Sequence, residues 1–210
     1  MLAKISWERL KFYSSVSALY GLTLLFALAL FRPSLLPFRK AEAEHHRYNI
    51  VNPAQVLASQ PNATYGTPVR IVITETDNGL NIDLPVDVGS YDVKTDAWTL
   101  SEIHADYANV SMPPNNWRGN TLIYGHDSPK VFGYLSAIKP GTDATATVYT
   151  ANNHTFIYNY DKFLTLSPND VSVFSTTGHP TLIVQTCSGS FFQYRQMFHF
   201  NLQKVDGHAV

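Results

Sequence analysis

The hydropathic pattern of the chain changes character twice. Residues 12–31, FYSSVSALYGLTLLFALALF, run for twenty positions without a charge. A helix rises about 1.5 Å per residue, so this run matches a hydrocarbon core of about 30 Å and predicts a membrane-spanning helix over Phe12–Phe31. Arg32-Pro33 ends it with a charge and a residue that cannot continue a helix. Lys4, Arg9 and Lys11 precede the run, and Arg32, Arg39 and Lys40 follow it, so charge specifies orientation only weakly. Residues 1–11 are expected to remain as a short cytoplasmic tail, with the larger remainder on the other side. Two other readings stand beside the anchor: a cleaved signal peptide with Ala27-Leu28-Ala29 at its processing site, and a buried core helix. Anchor and signal peptide both place the rest of the chain outside the cytoplasm.

Residues 32–65 have no sustained apolar period. They hold Pro33, Pro37, Pro53, Pro61 and the mixed-charge stretch RKAEAEHHR, and read as a linker in which Ala54–Ser59 can form a helical turn. From residue 66 to 210 the period becomes two. GLNIDLPV (79–86) sets Leu80, Ile82, Leu84 and Val86 against Asn81 and Asp83, the signature of a half-buried strand. Six further runs read as strands: 68–74, 119–126, 143–151, 154–166, 181–187 and 193–205. Asn152-Asn153 reads as a hairpin turn, because Asn tolerates positive φ. One helix signal follows, Ser167-Pro168-Asn169-Asp170-Val171, with Ser167 as N-cap, Pro168 at the first helical position and Asp170 at the third. Frequent strands, short loops and little helix predict a mostly β fold, a closed or nearly closed barrel or a sandwich.

Composition narrows the function classes. The chain has 210 residues, 15 Lys+Arg, 16 Asp+Glu and one cysteine. One cysteine excludes an internal disulfide and a cysteine-rich zinc site. A net charge of −1 gives no reason to propose nucleic acid as a partner. That value hides an asymmetry: residues 1–47 carry seven basic and three acidic residues, net +4, and residues 48–210 carry eight basic and thirteen acidic, net −5. The two parts are expected to occupy different environments.

The candidate chemistry starts from Cys187. It ends an apolar strand and is followed at once by Ser188-Gly189-Ser190, where the chain must turn. A thiol there is either a small structural residue or a nucleophile at an accessible strand end. Arg195 opens the next strand, so a hairpin makes it a cross-strand neighbour of Cys187, where a guanidinium favours thiolate and can hold an oxyanion. Of eight histidines, His126 alone ends an apolar strand after a glycine, as Cys187 ends its own. His45 and His46 fall in the linker, His154 and His179 beside turns, and His199 within a strand between Phe198 and Phe200, where packing is expected. Cys187 and His126 at one rim would form a thiol–imidazole pair.

This combination resembles the sortases, membrane-anchored cysteine transpeptidases of bacterial cell surfaces. Gly119 to His126 is similar to the family's histidine segment. Ile183-Val184-Gln185-Thr186-Cys187, with Arg195 after it, is similar to its TLxTC signature and following arginine. Val131 to Leu135 resembles its F-x-x-L stretch, and Leu80 to Val86 its I-x-L-P-V strand. The resemblance covers roughly residues 67–205. It implies a closed β-barrel of about eight strands with short helices, behind an N-terminal transmembrane helix. It also implies Cys187, His126 and Arg195 as catalytic residues and Thr186 as a support to the substrate and oxyanion site. No cofactor or metal is implied. The implied substrates are surface proteins with a C-terminal LPxTG-like sorting signal. The implied acceptor is the amine of a peptidoglycan precursor or a pilin lysine.

The departures concern class. Ile183 and Val184 replace the first two signature residues, no Asp-Pro-aromatic lid of pilus-building sortases is present, and 161–182 is too short for the long helix of class B. Class and sorting motif therefore stay open. Three other readings stand beside this resemblance: an adhesion or binding β-sandwich with an incidental cysteine, an L,D-type cysteine transpeptidase, whose Ser-His-Gly-Cys-like segment does not match residues 185–188, and a metal site from His126, Asp127 and another histidine, which no ligand spacing supports.

Overall fold

The computed structural model describes residues 53–92, 97–189 and 193–210. The expected anchor over Phe12–Phe31, the tail 1–11 and the first part of the expected linker lie outside the described residues. Among the described residues no helix is long and apolar enough to cross a membrane.

Eight strands close into a barrel. In chain order the strands are β1 (Pro68–Glu75), β2 (Leu80–Gly89), β3 (Tyr91–Asp92), β4 (Ala97–Trp98), β5 (Ala105–Ala108) and β6 (Asn120–Tyr124). They continue with β7 (Ala144–Thr150), β8 (Thr155–Leu166), β9 (Thr181–Ser188), β10 (Tyr194–Val205) and β11 (His208–Ala209). Their spatial order is β11-β10-β8-β7-β1-β2-β5-β6-β9, and β9 also pairs with β10, which closes the ring and leaves β11 as an appended edge. Closure excludes the sandwich reading. β3 and β4 form a separate two-stranded ribbon.

Alternation places the core. Leu80, Ile82, Leu84 and Val86 on β2 are all buried, as their period of two predicts. Ile71 and Ile73 on β1 stand opposite Leu84 and Ile82 on one side, and opposite Val148 and Ala146 of β7 on the other. β7 contributes small side chains where β8 contributes large ones: Ala146 faces Tyr158, and Val148 faces Phe156. This large-to-small matching suits the interior of a narrow barrel. Phe198 and Phe200 of β10, with Leu182 and Val184 of β9, complete the interior.

The connections depart from expectation in instructive ways. Asn153 has φ 66°, so the Asn152-Asn153 turn forms as the residues predict. The Ser167–Val171 signal does not start an α-helix. Asp170 N–H donates to Ser167 O, a tight turn, and Asp170 Oδ1 accepts from Ser172 N–H at 2.9 Å just ahead of a single 3-10 turn at Ser172–Phe174, whose N-cap is Val171. Asn169 N–H donates to Ser167 Oγ at 3.4 Å, so the expected N-cap closes a local turn and no helix forms over 167–171. A second 3-10 turn, Leu135–Ala137, follows the buried Val131 and Phe132. A short helix, α1 (Pro53–Ala58), occupies the expected helical turn. The helix and the residues that follow it attach to the barrel body: Leu57 of α1 is buried, Thr64 N–H donates to Asn116 Oδ1 at 2.9 Å, and Asn152 Nδ2 donates to Tyr65 O at 2.8 Å.

Phe200 is fully buried, stands opposite Leu182 across the closing pair, and meets Tyr160 edge-on at 5.6 Å. Phe200→Ala removes this packing at the seam and leaves a cavity. A loss of about 3–5 kcal/mol is expected, read as a lowered urea midpoint with an unchanged slope.

Candidate active site

Strand β9 is buried on both faces. Leu182 and Val184 point into the barrel, and Thr186 follows them on the inner side. Ile183 belongs to a second apolar cluster on the outer face, with Leu122 and Tyr124 of β6, Met197 of β10 and Val173. Trp98, Leu166 and Phe174 cover that cluster. Double burial explains the unbroken apolar run Leu182-Ile183-Val184 in a strand that elsewhere would alternate. Alternation then puts Cys187 on the outer face, past Ile183 and Gln185, at the end of the strand and half-buried.

The two neighbours of β9 deliver the other groups. β10 pairs antiparallel with β9, with Arg195 directly opposite Cys187 and Met197 opposite Gln185. Arg195 is half-buried, and its Nη1 donates to Tyr194 O at 3.1 Å. β6 pairs with β9 in parallel, ending at Tyr124↔Gln185. Gly125 N–H donates to Gln185 O at 3.1 Å, and the next residue is His126. Both strands end at the same rim, so the parallel register continued past Tyr124 brings His126 level with Cys187. The structure thus gathers the three catalytic candidates at one rim of three adjacent strands. Thr186 lies beside them but on the inner side: it is buried, and its hydroxyl donates to Gly125 O at 3.2 Å.

A turn before β5 borders His126. Glu102 Oε1 stands 3.5 Å from His126 Nε2. The turn is pinned by Ser101 N–H donating to the buried Asp106 at 2.8 Å, by His104 N–H donating to Ser101 Oγ at 3.1 Å, and by His104 Nδ1 against Asp87 at 2.8 Å. Burial pushes the Asp106 carboxyl above its ordinary value; the Ser101 N–H opposes this, and the Asp87 charge adds to it. Tyr124 donates its hydroxyl to Thr99 O at 2.8 Å, and burial lifts its phenol to about 12, so it is a neutral donor at physiological pH. Trp98 stacks on Phe174 at 6.0 Å and meets Tyr124 edge-on at 5.5 Å, forming an aromatic wall on the face that carries Cys187.

His154 and His199 are explained locally. His154 Nδ1 lies 2.7 Å from Asp206, which also accepts from Thr155 N–H and so fixes a chain turn. His199 packs half-buried in β10, where desolvation and then Lys162 hold it below its ordinary value. His45 and His46 lie outside the described residues. Glu102 and Asp106 were missed from sequence, whereas Gly125 was part of the local signal for His126. Glu102 sits in an irregular stretch and Asp106 in the four-residue strand β5, neither long enough to show a period.

The family described as Sortase domain matches residues 78–201, more than half of the chain. The chain belongs to the sortase family, whose members are cysteine transpeptidases. The fold is also similar to sortase C1 from Streptococcus suis, at 15% identity over 72% of this chain and 78% of that one, with a TM-score of 0.50. A pilus-related sortase C of Group B Streptococcus matches at 18% identity over 67% and 70% of the two chains, again at 0.50. Sortase C1 of GBS Pilus Island 1 matches at 12% identity over 65% and 64%, at 0.50. At these identities the likeness defines the fold. No curated protein matches the chain.

Asp106 gives a pH test with a definite sign. Its raised pKa means that ionisation opposes folding. Below its ordinary value of 3.8 the carboxyl is neutral in both folded and unfolded chains, and this cost is absent. As pH rises through the elevated folded value, the cost appears in full. Asp106→Asn keeps an acceptor for Ser101 N–H but cannot ionise. Its melting temperature should therefore gain on the wild type as pH rises from 3.8 towards neutrality. A difference that stays flat over that range would remove Asp106 as the source.

Proposed function

We propose that this chain is a sortase-type cysteine transpeptidase that cleaves an LPxTG-like C-terminal sorting signal through a thioester on Cys187. The observation that carries the reading is the pairing of Cys187 with Arg195 across β9–β10, with the β6 end holding His126 at the same rim. In the reading, the Cys187 thiolate attacks the backbone carbonyl of the signal's threonine or its equivalent. Arg195 holds the oxyanion or the substrate backbone. His126 protonates the departing amine, and the downstream peptide leaves. The thioester is then attacked by an amine from a peptidoglycan precursor or a pilin lysine, with His126 accepting its proton. No cofactor takes part. Thr186 supports the substrate and oxyanion site.

The domain map belongs to the same proposal: a cytoplasmic tail over 1–11, a transmembrane anchor over 12–31, a linker over 32–65 and a catalytic domain over 66–210. It makes the chain a single-pass protein of the bacterial cell membrane with its catalytic domain extracytoplasmic. Substrates tethered to the same membrane would meet the enzyme at a raised effective concentration. The other reading, an adhesion module with an incidental cysteine, rested on a sandwich, and the closed sheet removes that support.

The test is incubation with a library of quenched sorting-signal peptides, with and without an acceptor amine. Cys187→Ala should abolish cleavage. Arg195→Ala should lower the rate by roughly 10²–10³-fold, the usual effect of losing an oxyanion donor, with the melting temperature little changed. Cleavage by Cys187→Ala would end the reading.

A further inference from the structure

The backbone on either side of His126 is held by an unusual set of contacts. Gly125 N–H donates to Gln185 O, the last backbone rung between β6 and β9 described above. The Gly125 carbonyl is taken by a side chain, the Thr186 hydroxyl at 3.2 Å. The His126 carbonyl accepts from Phe132 N–H at 3.0 Å. Gly125 itself is squeezed: a Cβ there would stand 2.6 Å from Val131 Cγ1 and 3.0 Å from the Phe132 ring. His126 therefore leaves the barrel from a residue fixed on three sides, with no space for a side chain of its own.

Thr186 is the adjustable member of this set. It is 2% exposed and inward-facing, whereas Cys187 next to it faces outward. Its hydroxyl reaches across to the carbonyl that immediately precedes His126. One residue thus ties the strand end bearing the thiol to the strand end bearing the imidazole. We propose that Thr186 is a positioning residue that acts through Gly125 on His126, setting the imidazole's place relative to Cys187. This rests on the transpeptidase reading for its effect on rate. It differs from a substrate-contact role in what it predicts: a positioning residue changes the chemical step, whereas a binding residue changes affinity. A shift of about 1 Å in a catalytic group can cost about 10²-fold in rate.

Thr186→Val keeps the branched shape, removes the donor and leaves the Gly125 carbonyl unpaired; Thr186→Ser keeps the donor. With the full chain in detergent and a peptide that the wild type cleaves, Thr186→Val should lower kcat by about 10–10²-fold with KM within about two-fold. Thr186→Ser should restore kcat to within about three-fold of wild type. A rise in KM with kcat retained would overturn the proposal in favour of substrate contact. A Thr186→Ser enzyme as impaired as Thr186→Val would overturn it in favour of packing volume. Gly125→Ala disturbs the same clamp from the acceptor side and should give the same kcat-selective loss. Unchanged kcat in Gly125→Ala would overturn the clamp, even where Thr186→Val fails to fold. If the wild type cleaves no sorting-signal peptide, the functional reading fails, and the clamp is read instead from the NMR resonances of the His126 ring. Wild type and Thr186→Ser should then share one ring environment and Thr186→Val depart from it; ring resonances unmoved in Thr186→Val would overturn the clamp.

Discussion

A curled sheet keeps two unpaired edges until its end strands meet. In this chain the end strands are β9 and β10, successive in sequence, and they pair in unbroken register from Tyr194↔Ser188 to Asn201↔Thr181. On its other side β9 holds β6 in parallel over five residue pairs. Each candidate catalytic group hangs on one of these two pairings. Cys187 and Arg195 face each other only because the hairpin closes the barrel. His126 reaches the same rim only because a distant strand, separated from β9 in the chain by β7 and β8, lies beside it in parallel. Closure therefore does two jobs: it removes the exposed edges and it assembles the site.

The energetic support for this seam is two-sided. Inside, Leu182 and Val184 join the main core; outside, Ile183 and Met197 are covered by Trp98, Leu166, Phe174 and Val173. A strand packed on both faces has little freedom to slip, since a shift of one residue would exchange its inner and outer sets. The reactive ends lie just beyond this packed section, where Cys187, His126 and Arg195 are all half-buried. Rigid strands hold the groups in place while the rim itself stays partly exposed, the usual division between scaffold and chemistry.

The legible parts of the sequence were those governed by local rules. Seven of the barrel strands followed from period two or from apolar runs, and the Cys187–Arg195 pair followed from the short connection between adjacent strands. β5 was missed because its four residues, ADYA, include the buried Asp106 and are too short to show alternation. β3 and β4 are two residues each and carry no period at all. The Ser167–Asp170 signal does not cap a helix: both side chains close local turns, a use of Ser and Asp that the sequence pattern does not separate from capping. Thr186 was recognised through family resemblance, yet its partner, the Gly125 carbonyl, depends on a parallel pairing that no local pattern reveals. Glu102 was invisible for the same reason: its approach to His126 is created by a turn pinned through Asp106 and Asp87, residues of other strands.

The charges around the rim are divided in a way that suits two-step acyl transfer. Arg195 stands on the β10 side of Cys187, whereas Glu102 stands near His126 in the turn before β5, a turn held by the buried Asp106 through Ser101 N–H. Under the proposed reading, negative charge develops on the carbonyl oxygen, where the guanidinium favours it. The amines that depart and arrive pass on the histidine side, where carboxylates favour a cationic group. Glu102 is highly exposed, so its field is screened and short-ranged, and it acts on groups at the rim itself instead of steering partners from a distance. Under that reading the placement would separate an anion-stabilising side from an amine-handling side across a single thiol, a separation set by which strands flank β9.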